Sequence, residues 1–260
     1  MTIDYIRAYQ YRDIPPVIPT AQSMKVLVGD ALANTLTGGA GDDRIEGGRG
    51  NDVLTGGGGA DTFVFADLTG TDTVTDFHWG EDKLVIQGFS AAQVSTSILL
   101  QGLQLNFGSS HVFLPGLYGL APGDIVAGAT TTTGTAGADT LDRSAIATPS
   151  ASIYGLGGND VIKGGAGDDW IVGGAGNDTL TGNAGKDSFV FAVGSGQDTI
   201  TDFVPGLDQL VLQGVTQTSL HASWAMVGGV NGIQLGYGTA GDTVFLSGVG
   251  SLLPDNIVLS

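Results

Sequence analysis

The chain has 260 residues, 45 of them glycine and none cysteine, and its 26 acidic against nine basic side chains give a formal net charge of −17. So few Lys and Arg argue against nucleic-acid binding, the glycine content argues against a helical bundle, and 42% apolar residues are too many for a disordered chain. The lack of cysteine excludes disulfides and thiolate metal sites, and no apolar run approaches the ~18 residues that a membrane span needs.

The first 23 residues are predicted to come from an upstream domain. Met1–Tyr11 alternates like an edge strand, and Arg12–Ser23 (RDIPPVIPTAQS) has the proline content of a semi-rigid tether. The run Asp4–Tyr9 (DYIRAY) resembles the closing strand of the family 16 glycoside hydrolase jelly roll. That resemblance implies that this chain is the non-catalytic C-terminal part of a secreted polysaccharide hydrolase, whose catalytic domain lies upstream. The alternative interpretation is an ordinary strand that packs on the following module.

Two copies of one pattern follow, 126 positions apart. Gly38–Gly59 and Gly164–Gly185 are identical at 16 of 22 positions, and the similarity continues through the FVF, TDF and LV-QG runs downstream. We interpret this as a tandem duplication. It predicts two modules, at residues 24–128 and 129–260, with the threonine run Thr130–Thr133 near the seam.

Each copy contains a second period of nine residues, with the pattern G-G-x-G-x-D-x-U-x, in which U is a large apolar residue. The intact units are Gly38–Glu46, Gly47–Thr55, Gly56–Val64, Gly155–Lys163, Gly164–Val172, Gly173–Thr181 and Gly182–Val190. Two further units are irregular: Gly29–Thr37 has Asn34 where the aspartate belongs, and Gly134–Asp142 stands apart from the others.

The nonapeptide has a direct physical interpretation. Its G-G-x-G-x-D half forms a turn, because glycine enters positive-φ conformations without steric cost, and its x-U-x half is a short strand whose U side chain faces inward. Two units make one coil, so residues 18 apart stack at about 4.8 Å. The predicted narrow core consists of Ile45, Leu54, Phe63, Ile162, Ile171, Leu180 and Phe189.

One aspartate per unit completes each turn and is predicted to bind a metal ion. These aspartates are Asp43, Asp52, Asp61, Asp160, Asp169, Asp178 and Asp187. Turn carbonyls and carboxylates make a flexible all-oxygen cage, which suits Ca²⁺ better than Mg²⁺. Stacked carboxylates repel one another and the core is thin, so we expect the repeats to fold only when Ca²⁺ binds.

The units match the RTX (repeats-in-toxin) nonapeptide, and the runs ADTFVF…DTVTDF and KDSFVF…DTITDF are similar to the segment that closes the roll in serralysin-type C-terminal domains. This resemblance implies an all-β fold of two tandem parallel β-rolls, each capped by a small β-sandwich-like segment, with several bound Ca²⁺ ions. It implies that Asp72 and Asp198, together with Asp76 and Asp202, ligate the last calcium of each roll. It also implies export by the type I secretion machinery, with a C-terminal secretion signal at the end of the chain (DNIVLS), and folding outside the cell.

Other chemistry has little support in the sequence. His78, His111 and His221 lack metal-ligand spacing, and Gly236–Gly241 (GYGTAG) precedes a strand-like run rather than the helix of a nucleotide site. Catalysis by this chain is therefore disfavoured. The alternative that stays open is a carbohydrate- or cell-surface-binding ancillary module that uses exposed aromatic faces. Its candidates are Trp79, Trp170, Trp224, Tyr118, Tyr154 and Tyr237, of which Trp170 is expected to point outward.

Overall fold

The computed structural model describes residues 22–66, 70–145, 150–238 and 241–260, so the predicted edge strand at Met1–Tyr11 lies outside the described residues. The described chain forms two compact units. The N-terminal unit comprises the described residues of 22–132 together with 150–152, and the C-terminal unit comprises those of 133–145 and 153–259. No helix in this described part is long and apolar enough to span a membrane.

The N-terminal unit winds into coils that contribute one strand to each of two sheets. Its strands are β1 (Gln22–Ser23), β2 (Val26–Val28), β3 (Thr35–Ala40), β4 (Arg44–Glu46), β5 (Val53–Gly58), β6 (Thr62–Phe65), β7 (Thr71–Val74), β8 (Lys83–Gln87), β9 (Ser95–Leu99), β10 (Gly102–Phe107), β11 (Ser110–Pro115) and β12 (Ile125–Thr133), with a 3-10 turn at Ala91–Gln93. One sheet runs β2-β4-β6-β8-β12 and is parallel. The other runs β3-β5-β7-β11 and then turns antiparallel through β10 and β9. Val26 pairs with Arg44 and Arg44 with Thr62, so two nonapeptides make one coil.

The C-terminal unit repeats this arrangement. Its strands are β13 (Thr140–Asp142), β14 (Ala151–Gly157, from Ile153 onward in this unit), β15 (Val161–Lys163), β16 (Trp170–Ala175), β17 (Thr179–Thr181), β18 (Ser188–Ala192), β19 (Gln197–Ile200), β20 (Gln209–Gln213), β21 (His221–Val227), β22 (Val230–Tyr237), β23 (Asp242–Ser247) and β24 (Ile257–Leu259), with 3-10 turns at Gln217–Ser219 and Pro254–Asn256. One sheet runs β14-β16-β18-β20-β24. The other runs β13-β15-β17-β19-β23 and is continued antiparallel by β22 and β21.

The all-β fold of parallel β-rolls is therefore confirmed. The segment after each roll adds antiparallel strands to one of the roll's own sheets. In the N-terminal unit β11 pairs parallel with β7, and in the C-terminal unit β23 pairs parallel with β19. Each cap thus covers the last coil of its roll, whose strand edge and core would otherwise be exposed.

Two expected strands are shifted. The alternating apolar runs Thr73–Phe77 and Thr199–Phe203 predict strands, whereas β7 ends at Val74 and β19 ends at Ile200. The reason is a contact between coils: the Asp76 carboxylate accepts the backbone N–H groups of Gly56 and Gly57, at 2.9 and 2.8 Å. Asp76 is therefore held in a turn beneath the preceding glycines, and the chain cannot continue as a strand.

The inward apolar side chains form the predicted narrow core. The U residues Ile45, Leu54, Phe63, Ile162, Ile171, Leu180 and Phe189 are all fully buried. The phenylalanine of each TDF run lies next to the last U residue of its roll. The ring centroids of Phe77 and Phe63 are 6.3 Å apart, and those of Phe203 and Phe189 are 6.2 Å apart. The duplicated aromatic pair closes the core of each roll, in the distance range that favours ring contacts.

Trp170 does not offer the solvent-exposed aromatic face that its outward position predicts, because the residue is only 9% exposed. Arg44, at the same repeat position in the first copy, is 7% exposed. Its guanidinium donates to Ser152 Oγ at 3.3 Å, and Ser152 Oγ also accepts a hydrogen bond from Gln87 at 3.1 Å. In the N-terminal unit, Ser152 therefore contacts outward side chains of β4 and β8, which the repeat pattern alone would leave in solvent.

Candidate metal centres

The repeat aspartates form a ladder along each face of the rolls. Ten aspartate Oδ1 atoms accept the backbone N–H of the equivalent residue one coil earlier, as when the N–H of Asp43 donates to Asp61 at 2.8 Å and that of Asp160 donates to Asp178 at 2.8 Å. The other donor–acceptor steps are Lys25 to Asp43, Asn34 to Asp52, Asp52 to Asp72, Asp61 to Asp82, Asp139 to Asp160, Asp169 to Asp187, Asp178 to Asp198 and Asp187 to Asp208. One oxygen of each carboxylate thus fixes the spacing between coils.

The second oxygen, Oδ2, is in a different situation. Six of the predicted ligands have an Oδ2 atom that is buried and accepts no hydrogen bond. They are Asp43, Asp52, Asp61, Asp160, Asp178 and Asp198. A buried carboxylate oxygen without a donor is costly, and buried polar atoms in folded proteins nearly always have a partner. These oxygens therefore need a partner that the protein's own donors do not supply.

A carbonyl oxygen faces this unpaired carboxylate oxygen across the first glycine of the repeat. The position of an added Cβ atom on Gly38 lies 2.1 Å from Asp43 Oδ2 and 2.3 Å from the carbonyl oxygen of Gly56. The same arrangement recurs at Gly155 with Asp160 and Gly173. It recurs at Gly164 with Asp169 and Gly182 as well, except that Asp169 Oδ2 already accepts the N–H of Gly165. We call the aspartate Oδ2 and this carbonyl oxygen an acceptor pair. Because glycine has no Cβ, no side chain occupies the position beside the pair.

The donor set fits calcium. Each acceptor pair combines one carboxylate oxygen with one backbone oxygen, and no group of three or more His, Cys, Asp or Glu side chains that could hold a metal occurs among the described residues. A metal site here must therefore rely heavily on main-chain carbonyls. Ca²⁺ accepts such mixed oxygen ligands in a flexible geometry, whereas Zn²⁺ requires nitrogen or sulfur ligands and Mg²⁺ a stricter octahedron.

The carboxylates are held in surroundings that disfavour their charge. Burial raises the pKa of Asp187 to about 7; the N–H of Asp169 lowers it in part, and the nearby carboxylate of Asp208 raises it further. Burial likewise raises the pKa of Asp198 to about 7 and that of Asp61 to about 6. Burial also raises the pKa values of Asp52, Asp82, Asp178 and Asp208. A cation beside these groups would favour their ionised form.

The remaining predicted ligands are less uniform. Asp72 and Asp187 are buried, and their Oδ1 atoms accept ladder bonds from Asp52 and Asp169. Asp169 is also buried, but its Oδ2 already accepts the N–H of Gly165 at 2.6 Å. The nine aspartates therefore share one ladder position, and their roles as calcium ligands stay a prediction.

Three aspartates at ladder positions escaped the sequence analysis. Asp82 and Asp208 end the ladders, and each also accepts a turn N–H through Oδ2, from His78 and Val204 respectively. They lie 21 rather than 18 residues after their partners, outside the nonapeptide phase. Asp139 is the third, and its Oδ2 and the Gly155 carbonyl lie 2.7 and 2.8 Å from a Cβ position on Gly134. Asp139 is the aspartate of the irregular unit Gly134–Asp142, and this unit is the sequence feature that could have identified it.

Comparison with known proteins bears on the same segments. Residues 28–63 and 154–189 match the family model of the RTX calcium-binding nonapeptide repeat, in four copies. Both segments are RTX repeats. These repeats bind Ca²⁺, several ions per domain, so the predicted cofactor is confirmed. RTX repeats are calcium-binding modules of secreted proteins and are typically non-catalytic.

The extracellular lipase LipA from Serratia marcescens is similar in structure, with a TM-score of 0.45 and 20% sequence identity. The similarity covers 93% of this chain and 40% of the lipase chain, so this chain spans less than half of that protein. Among curated proteins no match to this chain was found. None of these comparisons shows the glycoside hydrolase resemblance of Asp4–Tyr9, which stays a proposal.

Proposed function

We propose that the RTX units form a non-catalytic, extracellular module that folds when Ca²⁺ binds and supports the type I secretion, folding and stability of an attached enzyme. The buried Oδ2 atoms carry this proposal, because they leave the metal-free rolls with unpaired carboxylate charge in their interior. In a calcium-poor cytosol that charge disfavours folding, which suits a chain that must cross a secretion channel unfolded. Outside the cell, the same residues favour folding.

Two kinds of contact would act in calcium-dependent folding: one spaces the coils and the other holds the ion. Ladder bonds such as Asp160 N–H to Asp178 Oδ1 set the coils at a fixed spacing. Acceptor pairs such as Asp160 Oδ2 with the Gly173 carbonyl would hold the ion between adjacent turns. Bound Ca²⁺ supplies the positive charge that offsets the repulsion between stacked carboxylates. We propose the same role for all nine predicted aspartates, including Asp72 and Asp198.

We further propose that the attached enzyme is a polysaccharide hydrolase whose catalytic domain precedes residue 24, and that the modules divide at residues 24–128 and 129–260. The support is the DYIRAY run and the duplication itself. The final residues, which we propose as the secretion signal, include β24, which pairs with β20 through Leu210 and Ile257. That segment is available to export machinery only before the C-terminal unit folds, which agrees with folding after export.

The calcium titration that tests the main proposal needs only this chain. Far-UV circular dichroism in EGTA should show a largely unfolded chain, and millimolar CaCl₂ should produce the β-sheet spectrum and a cooperative thermal transition. His221→Ala is the control, since His221 is exposed and lies outside the ladders, and its calcium response should equal that of the parent chain. A chelated protein as compact and heat-resistant as the calcium-loaded one would contradict the proposal.

The second candidate is a carbohydrate- or cell-surface-binding ancillary role. Trp79 is 69% exposed and Tyr118 is 58% exposed, both in the N-terminal unit, and each offers an aromatic face to solvent. Trp170 and Tyr237 are buried and drop out of this set. Polysaccharide pull-down with calcium present should retain the chain and lose it on Trp79→Ala if this role holds. If no polysaccharide retains the chain in calcium, the ancillary binding role is rejected and only the folding and secretion role remains.

A further inference from the structure

The first coil of the N-terminal unit departs from the pattern at one position. Lys25 stands 18 residues before Asp43, where later coils carry an aspartate. Its backbone N–H donates to Asp43 Oδ1 at 2.6 Å, as the N–H of Asp43 donates to Asp61 Oδ1 at 2.8 Å. Lys25 therefore occupies a true ladder position, with a positive side chain in place of a negative one.

The ammonium group lies on a carbonyl that belongs to the metal-binding pattern. Lys25 Nζ donates to the carbonyl oxygen of Gly38 and lies 3.5 Å from that of Thr37. Gly38 is the first glycine of its unit, and one coil later the equivalent carbonyl, that of Gly56, forms an acceptor pair with Asp43 Oδ2. By the repeat, the Gly38 carbonyl would face an aspartate Oδ2 at position 25. It faces an ammonium instead.

A lysine and a calcium-bound aspartate would bring the same net charge to this ladder position. An aspartate with a bound Ca²⁺ carries a net charge of +1, which is also the charge of a lysine side chain. The ammonium has only donors, so it satisfies carbonyl oxygens that would otherwise coordinate a metal ion. The neighbouring ladder also begins without a carboxylate, since Asn34 takes the aspartate position and its Oδ1 accepts the N–H of Asp30 at 2.8 Å. Both ladders thus start with side chains that need no ion.

We infer that Lys25 is a built-in cation that closes the first turn of the N-terminal unit in place of Ca²⁺. The inference rests on the proposed calcium-binding function, and it assigns a specific role within it: Lys25 decides where the calcium sites of this ladder begin. Among the described residues, the first turn of this ladder is closed by the chain itself, and the first acceptor pair is that of Asp43 and Gly56.

Hydrogen exchange of the full chain, measured by mass spectrometry with and without calcium, tests the inference. Lys25→Met keeps the aliphatic side chain but removes the charge. At saturating calcium it should speed exchange in residues 26–46 by roughly threefold to tenfold, the effect of losing one partly solvated charge-assisted hydrogen bond. Lys25→Asp should raise the calcium concentration at which the same residues become protected, above the concentration that protects them in the unmodified chain. The control Lys186→Met removes an exposed lysine of the C-terminal unit and should leave exchange in residues 26–46 unchanged.

The outcomes separate this inference from the proposed function. Wild-type exchange in residues 26–46 of Lys25→Met, or an unchanged calcium midpoint for their protection in Lys25→Asp, would overturn the role of Lys25. Exchange in residues 160–190 of the unmodified chain reports on the calcium-dependent fold by itself. If those residues are equally protected in EGTA and in calcium, the proposed function fails whatever Lys25 does.

Discussion

The space beside an acceptor pair can be closed with a single methyl group. In Gly155→Ala, the new Cβ would lie 2.2 Å from Asp160 Oδ2 and 2.3 Å from the Gly173 carbonyl oxygen, closer than real Cβ atoms approach other atoms. Gly157→Ala is a matched control in the same turn, since its Cβ would meet nothing nearer than 3.7 Å. Neither glycine has a positive φ, so backbone strain does not separate the two variants.

The expected effects differ in sign. Gly157→Ala should be neutral or stabilise the C-terminal unit by about 0.4–1 kcal/mol, because alanine restricts the unfolded chain. Gly155→Ala should destabilise it by about 1–3 kcal/mol, as overpacking does, and lower its melting temperature in calcium by about 5–10 °C. The calcium midpoint should rise by roughly tenfold, which corresponds to ~1.4 kcal/mol. Thermal melts and calcium titrations followed by near-UV circular dichroism measure both. Identical behaviour of the two variants would refute the assignment of this space to a cation.

Three further outcomes are expected. Asp178→Asn should raise the calcium midpoint more than Asp208→Asn, because Asp178 Oδ2 is unpaired whereas both oxygens of Asp208 accept backbone N–H groups; equal shifts in titration would count against this. Because burial raises the pKa of Asp187 to about 7, above its unfolded value near 3.8, the metal-free folded state binds protons more tightly than the unfolded chain. The folded fraction of the metal-free chain, small at pH 8, should therefore rise as the pH falls to 5.5, and calcium-loaded protein should lose thermal stability as protons compete with the ion; a metal-free folded fraction that does not rise in circular dichroism would exclude this linkage. Phe203→Ala should cost about 3–5 kcal/mol in calcium, since it removes a buried ring that packs on Phe189, and urea unfolding that shows under 1 kcal/mol would contradict it.

Sequence reasoning succeeded where the rules are local. A strict period of nine combined with strand alternation placed Ile45, Leu54 and Phe63 in the core, and all three are fully buried. The aspartate of each unit follows from the same phase. Turn glycine, inward apolar residue and carboxylate recur at fixed offsets, so the roll could be derived without coordinates, whereas the role of the carboxylates as calcium ligands stays a prediction.

The errors arise from contacts between coils, which no local pattern encodes. The strand at Thr73–Phe77 ends early because Asp76 accepts N–H groups of residues about 20 positions earlier. Asp82 was missed because the last coil is three residues longer than the others, so that the ladder continues out of phase. Trp170 was placed in solvent because period-two alternation says nothing about what covers the outer face of a sheet.

The two oxygens of a repeat aspartate place opposite demands on the metal-free chain. Oδ1 stabilises the coil by accepting a backbone N–H, which requires the carboxylate to lie inside the turn. Oδ2 is thereby buried beside a carbonyl oxygen, which destabilises the same coil unless a cation is present. A ladder of hydrogen bonds alone would fold at any calcium level, and a set of surface carboxylates would bind calcium without folding. Joining both demands in one side chain makes folding depend on the ion, and replacing that side chain by Lys25 removes the dependence at one position.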